Sequence, residues 1–217
     1  MAMSSILGGC GSSLNQMVRN NIAELREFVV YGKEEDISVS LMCGYREVNY
    51  KINGYATELI EFGVITINIL GNADKEDGKY ILFVGTQKYD GDLVINPIDG
   101  SLVADIGKIV DKDANMSIQV KLQEEEYDLK LNSVNSNWVV DEQECIKILL
   151  KKYKSDLKRF VNNGVFEGEV YIKIMNDEQA LIADFYYLIS VYGRSGKSIN
   201  VMVSPNTGEI LASKTNV

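Results

Sequence analysis

Apolar and polar positions along the chain switch between two periods. Leu14, Met17, Val18, Ile22 and Leu25 recur at three- to four-residue spacing, which predicts an amphipathic helix over 13–28, opened by a Ser13/Gln16 capping box and stopped at Tyr31-Gly32. Asn15, Arg19, Asn20, Glu24 and Glu27 fall on its other side. The apolar stripe is therefore expected to pack within its own domain, with a homodimer contact through this N-terminal helix as the second use of the same face. From about 29 to 134 the period falls to two. Residues 37–42, 64–69, 116–122 and 127–131 alternate, and further strands are expected at 80–85, 92–95 and 102–106. Turn signals stand at 72–78, at Tyr89-Asp90-Gly91 and at Asp99-Gly100.

Seven or more short strands in about a hundred residues predict an antiparallel β-sandwich, immunoglobulin-like in its pattern. The polar run Asn132-Ser133-Val134-Asn135-Ser136-Asn137 reads as a linker, which gives a flexible segment 1–12 and a helix-plus-sandwich domain over 13–134. Beyond Trp138 the helical period returns. Asp141 and Glu144 make a second capping arrangement, and Ile146, Leu149, Leu150, Tyr153, Leu157, Phe160 and Val161 form a stripe that ends at Asn162-Asn163-Gly164. Strands at 167–175, 181–192, 197–203 and 209–213 would give that stripe a three- or four-stranded antiparallel sheet to cover, so a separate domain is expected over 138–217. The fold class read from pattern is mainly β with α+β: a helix and sandwich first, then a C-terminal helix packed on its own small sheet.

The order of elements in that second domain carries a resemblance. A turn containing Ser195-Gly196-Lys197, the run Ile199-Asn200-Val201-Met202-Val203 and the closing Asn206-Thr207-Gly208-Glu209-Ile210-Leu211 resemble the PepSY family over roughly residues 140–215, with the helix-over-sheet layout of cystatin-like folds. The resemblance implies an extracytoplasmic module that holds or inhibits peptidases. At the start of the chain, Leu7-Gly8-Gly9-Cys10-Gly11-Ser12-Ser13 is similar to a bacterial lipoprotein box and would make Cys10 a lipidation site. The residues before Cys10 hold no Lys or Arg and only a brief apolar run, Ile6-Leu7, so they lack the charged and apolar regions of an export signal. On that ground a cytoplasmic location is favoured over an extracytoplasmic lipoprotein, and a leader upstream of Met1 would reverse the order.

Charge narrows the partners. The net charge of -9 resides in residues 1–135, with 21 Asp/Glu against 12 Lys/Arg, while residues 136–217 carry 10 of each. Such acidity repels nucleic acid and anionic lipid. Lys147, Lys151, Lys154 and Lys158 line the second helix opposite its apolar face, a candidate grip for an acidic protein or peptide. No aromatic residues interleave with them to stack bases, so nucleic acid is not the expected partner. Tyr186, Tyr187 and Tyr192 on one strand are the second candidate binding surface. No run of about 18 apolar residues exists, so no transmembrane segment is expected.

Candidate chemistry is sparse. The chain has no histidine, which removes Ser-His and Cys-His dyads and nearly every zinc or iron site. Cys43 and Cys145 sit in apolar runs and read as core. Gly193-Arg194-Ser195-Gly196-Lys197-Ser198 lacks the first glycine of a phosphate-binding loop and leads into a strand, so it reads as a hairpin turn. Asp111-Lys112-Asp113-Ala114-Asn115 and Asn72–Gly78 miss the spacing of a calcium loop, and Asp90/Asp92 and Glu124/Glu125/Glu126 are generic acidic pairs and runs. No catalytic, cofactor or metal residues are assigned. The expectation is a non-catalytic binding protein, with a peptidase regulator as the alternative. A histidine-free hydrolase comes third and would need two acids from separate strands to meet in a closed cavity.

Overall fold

The computed structural model describes residues 13–48, 52–69, 78–176 and 185–217. Helix α1 (Leu14–Arg19) leads into β1 (Ile22–Lys33), followed by β2 (Ile37–Glu47), β3 (Leu59–Ile69), β4 (Gly78–Val84), β5 (Gln87–Ile95), β6 (Leu102–Asp105), β7 (Met116–Leu122) and β8 (Glu125–Ser133). Next come α2 (Glu142–Lys152), α3 (Lys154–Leu157) and a 3-10 turn at Lys158–Phe160. The small hairpin β9 (Val161–Asn162) and β10 (Val165–Phe166) precedes β11 (Gly168–Met175), β12 (Tyr186–Gly193), β13 (Ser198–Val203) and β14 (Ile210–Asn216). Cys10, residues 72–77 of one expected turn and residues 181–184 of one expected strand lie outside the described residues.

The expected sandwich is overturned by a closed barrel. Strands β1-β2-β3-β6-β5-β4-β7-β8 are successive antiparallel neighbours, and β8 returns to β1 through Val30↔Ser133 and Tyr31↔Asn132. The alternating runs do form strands. Alternation, however, specifies one buried face without saying whether that face meets a second sheet or curls shut on itself. An eight-stranded barrel is just wide enough for its own side chains to fill. Here Leu41, Ile65, Ile67, Leu82, Leu102 and Ile118 are among those that fill it, in one continuous apolar cluster.

Two local expectations fail for identifiable reasons. The helix expected over 13–28 ends at Arg19, although Ser13 Oγ does cap it by accepting from Gln16 N at 3.3 Å. From Ile22 the chain is strand, with Phe28 and Val30 pointing into the barrel and Ile22, Leu25 and Val29 pointing into a second core outside it. A strand buried on both faces has apolar residues at spacings that also satisfy a helical stripe. The turn expected at Tyr89-Asp90-Gly91 is instead the middle of β5. Its glycine makes room for a neighbour: a Cβ at Gly91 would stand 3.1 Å from Tyr80 Cε1 inside the barrel.

A separate C-terminal helix on its own sheet is also corrected. β11 runs parallel to β1, with Ile22↔Val170 and Leu25↔Ile172, so β11–β14 extend the barrel's sheet to twelve strands. Because β1 feeds alternate side chains to two cores, the outer strands are continuous with the barrel. The second core gathers Val18, Val29, Ile146, Leu149, Ile172 and Ile189, among others, with Cys145 also fully buried. Residues expected as a linker belong to this junction: Asn132 and Ser133 pair with β1, while Asn135 Nδ2 donates to Glu27 O at 3.0 Å. The long helix expected to run to Val161 breaks at Tyr153, whose φ of -118° and ψ of 22° leave helical geometry. The break lets Leu157 and Phe160 stay in the second core while the chain turns into β9. Among the described residues no helix is long and apolar enough to cross a membrane.

Candidate functional site

A concave surface joined to an open strand edge lies where α2 passes the β13–β14 turn. Asp141 starts the helix, its Oδ1 accepting from Glu144 N at 2.7 Å. Cys145, Ile146 and Leu149 then face the core, which leaves Glu144, Lys147, Ile148, Lys151 and Lys152 along the flank. The opposite wall is residues 207–211. Val139 N and Val140 N both donate to Pro205 O, at 3.2 and 3.0 Å, and bind the approach to α2 onto the turn. Gly208 takes φ 73°, a left-handed conformation suited to glycine, and its N–H donates to Ser204 O at 2.8 Å.

Between these walls runs a groove of about 910 Å³, with Val140 and Ile210 on its apolar side. Val139 is 72% exposed and Leu211 45% exposed at its margin. β14 forms the far end of the sheet and, among the described residues, has only β13 as a strand neighbour. A register shift between Met202 and Val203 places a bulge near Leu211, after which Ala212 to Asn216 pair regularly with β13. In such a strand, alternate residues turn both N–H and C=O away from the neighbour, toward whatever lies beyond the edge.

The residues singled out in the sequence divide between this groove and other places. Lys147 and Lys151 line it, and Lys152 joins them. Lys154 and Lys158 lie beyond the Tyr153 break, in α3 and the 3-10 turn, and do not continue the wall. Lys147 Nζ pairs with Glu144 Oε2 at 2.8 Å, whereas Lys151 and Lys152 have no ion-pair partner among the described residues. The three tyrosines separate by strand parity. Tyr187 is buried in the second core against Trp138, with ring centroids 5.1 Å apart, and burial pushes its phenol pKa up. Tyr192 faces the other side, where its OH donates to Asn200 Oδ1 at 2.9 Å and its ring meets Tyr171. Tyr186, one residue from Tyr187, shares that side and is also buried. The apolar face of α1 is taken up internally, with Val18 buried and Leu14 and Met17 packed on the second core.

Val139 and Ile148 were not singled out by sequence, and residues 207–211 stood out only as the closing turn and strand of the PepSY resemblance, not as a binding wall. The one available signal was β14 itself, a run from Ile210 to Asn216 with few apolar residues on either face, as suits an edge strand.

The buried carboxylates occupy structural positions. Glu169 Oε1 accepts from Asn53 N and Gly54 N at 2.5 and 2.7 Å, and its Oε2 accepts from Tyr171 OH at 2.6 Å. Glu24 pairs with Arg26 and Lys173, each at 2.8 Å, and Glu47 accepts from Thr57 N. The Gly193–Ser198 segment is a hairpin turn whose Arg194 Nε donates to Asn53 O at 2.7 Å, completing the clasp on the same loop. Asp111 uses its carboxylate locally, accepting from Asp113 N at 3.1 Å. Among the described residues no group of three or more carboxylates or cysteines is placed to hold a metal ion. Comparison of the chain with protein-family models, with curated proteins and with solved structures gave no match.

Proposed function

We propose that this is a non-catalytic binding protein that holds a segment of another polypeptide in extended form along β14. The observation that carries the reading is the edge of β14, unpaired among the described residues, lying beside the α2 groove. An unpaired edge offers main-chain donors and acceptors to one kind of ligand, an added strand, and an adjoining groove supplies the side-chain contacts that choose among strands. The buried acids favour binding over carboxylate hydrolysis, because Glu24, Glu47 and Glu169 already serve ion pairs and backbone N–H groups. The peptidase-regulator reading implied by the PepSY resemblance is a narrower form of the same proposal, in which the bound segment belongs to a peptidase. Self-association through α1 is less favoured, since its apolar side chains would have to leave the second core.

The test uses the full chain as bait for a random-peptide display library, with Ser213→Pro and Lys214→Pro as controls. Of two adjacent residues in an antiparallel edge strand, one turns its N–H outward. Proline there removes a ligand contact and leaves the β13 pairing intact. The expected result is a set of enriched peptides that are lost with the proline variant whose melting temperature is unchanged. Absence of enriched peptides, or enrichment indifferent to both prolines, would remove the proposal.

A further inference from the structure

Resting on that reading, we infer that the groove selects an acidic segment of a different protein and rejects a second copy of this chain. The ligand strand lies along β14, sets an apolar side chain against Ile148 and Leu211, and turns carboxylates toward Lys151 and Lys152. Three features carry the charge assignment. The lining carries three lysines, Lys147, Lys151 and Lys152, against two glutamates, Glu144 paired with Lys147 and Glu209 held by the Thr207 hydroxyl at 3.2 Å, so its balance is positive. Lys151 and Lys152, both exposed in the last turn of α2, are the cations on this wall left without an acidic partner among the described residues. Finally, Ile148 and Leu211 lie beside them, so a strand seated along β14 would cover the lysines and exclude water from their ion pairs, which gain strength as it leaves.

Lys214 argues against self-pairing. Two copies joining β14 to β14 would be related by a two-fold axis normal to the sheet, so both α2 helices would lie on one side of it. Centred on the regular part of β14, such a pairing would set Lys214 beside the Lys214 of the other copy, a like-charge cost that a ligand strand without a lysine there avoids. The side chains of the regular part of β14 add no compensating acid: Ala212, Ser213, Lys214, Thr215 and Asn216 include none.

The decisive experiment measures binding of three labelled peptides to the full chain by fluorescence polarisation. They share one alternating apolar frame and carry Glu, Gln or Lys at the polar positions. The Glu peptide is expected to bind about tenfold tighter than the Gln peptide, a typical size for close charge pairs at an interface. The Lys151→Glu/Lys152→Glu double variant is expected to reverse the order and prefer the Lys peptide, a gain that a misfolded variant would not show. Equal affinity for all three peptides, or an unreversed preference in the double variant, overturns the charge assignment and leaves strand binding standing. If none of the three binds although the display library yields ligands, the inference is again overturned alone; if neither yields a ligand, both fall together. Sedimentation equilibrium completes the test, with a monomer expected. A dimer abolished by proline at 213 or 214 would make a second copy the occupant.

Discussion

Leu82 in the barrel and Val139 beside the outer sheet are both aliphatic, yet the first is fully buried and the second is 72% exposed. The contrast extends to the regions around them. In the barrel, closure through β8 and β1 gives each strand partners on both sides, and the interior is packed with side chains from all eight strands. The outer strands β11–β14 begin at a parallel pairing with β1 and stop at β14 with no strand beyond it among the described residues. Closing a sheet removes the edge that would otherwise recruit another strand, whereas an open sheet must blunt that edge or use it. β14 shows both signs: a bulge and Lys214 blunt it, while the groove at its start keeps apolar residues in view. Both regions bury a core, so both contribute to stability, but among the described residues only the outer sheet keeps a strand edge that a partner could use.

The largest effect expected from this division is in the barrel. Leu82→Ala should lower the unfolding free energy by about 2–5 kcal/mol, because the wall around a fully buried leucine collapses only partly into the space left behind. Urea denaturation followed by tryptophan fluorescence measures it. Trp138, the one tryptophan, reports from the second core, so the probe also asks whether damage in the barrel reaches the outer region. Since β1 supplies both cores, one cooperative transition is expected. If Trp138 unfolded at the wild-type urea concentration while circular dichroism showed early loss of the barrel, the two regions would be independent.

How far this architecture could be read in advance depends on which interaction fixed each element. Helix caps and clean alternation were legible: Ser13 and Asp141 cap helices where caps were expected, and 116–122 is β7 to the residue. Gly100 likewise occupies the connection expected at Asp99-Gly100, although the similar signal at Tyr89-Asp90-Gly91 fell inside β5. Interactions between distant strands were not legible. Barrel closure depends on Val30 meeting Ser133, and the continuous sheet depends on Ile22 meeting Val170, pairings that no periodicity encodes. Apolar residues on both faces of β1 further disguised a strand as a helix. The groove was half legible. Lys147 and Lys151 stood out as a charged face, but Ile148 between them gained its place in the groove, and Leu211 became part of the other wall, only when the turn at Pro205 folded back over α2.

A second prediction, of intermediate size, treats the two cores alike. Burial pushes the Cys43 thiol in the barrel up to about 11, and it also raises Cys145 and Tyr187 in the second core, where Asp141 and Glu142 add to the effect. All three groups are therefore neutral in the folded protein and ionise more easily once unfolded. Their contribution is fully present below the unfolded pKa and is lost as pH rises through the folded one. For Cys43 alone, the rise from the ordinary thiol value to about 11 makes the loss across that window about 2–3 kcal/mol. Urea midpoints should fall steadily from about pH 9 upward. Cys43→Ala and Cys145→Ala should each flatten the fall after their own packing cost at pH 7 is subtracted. Stability that rose over this range, or a fall unchanged in both variants, would show that the thiols are not held in dry cores.

The smallest effect is expected at the groove, and its smallness is the informative part. Val140 is buried beneath the turn, while its neighbour Val139 exposes most of its side chain and meets the fold mainly through its backbone N–H to Pro205. Val139→Ser keeps that N–H and exchanges two exposed methyl groups for a hydroxyl, so its stability should stay within about 0.5 kcal/mol of the parent, as for surface substitutions generally. Peptides that bind along β14 should nevertheless weaken against it, because an apolar margin that contributes little to folding still excludes water from a bound strand. The thermal midpoint and the polarisation curve together decide the matter. Loss of stability comparable to that of Leu82→Ala would mean that Val139 is packing material, and the contrast between a closed barrel and a recognising outer sheet would fail at the residue where it is sharpest.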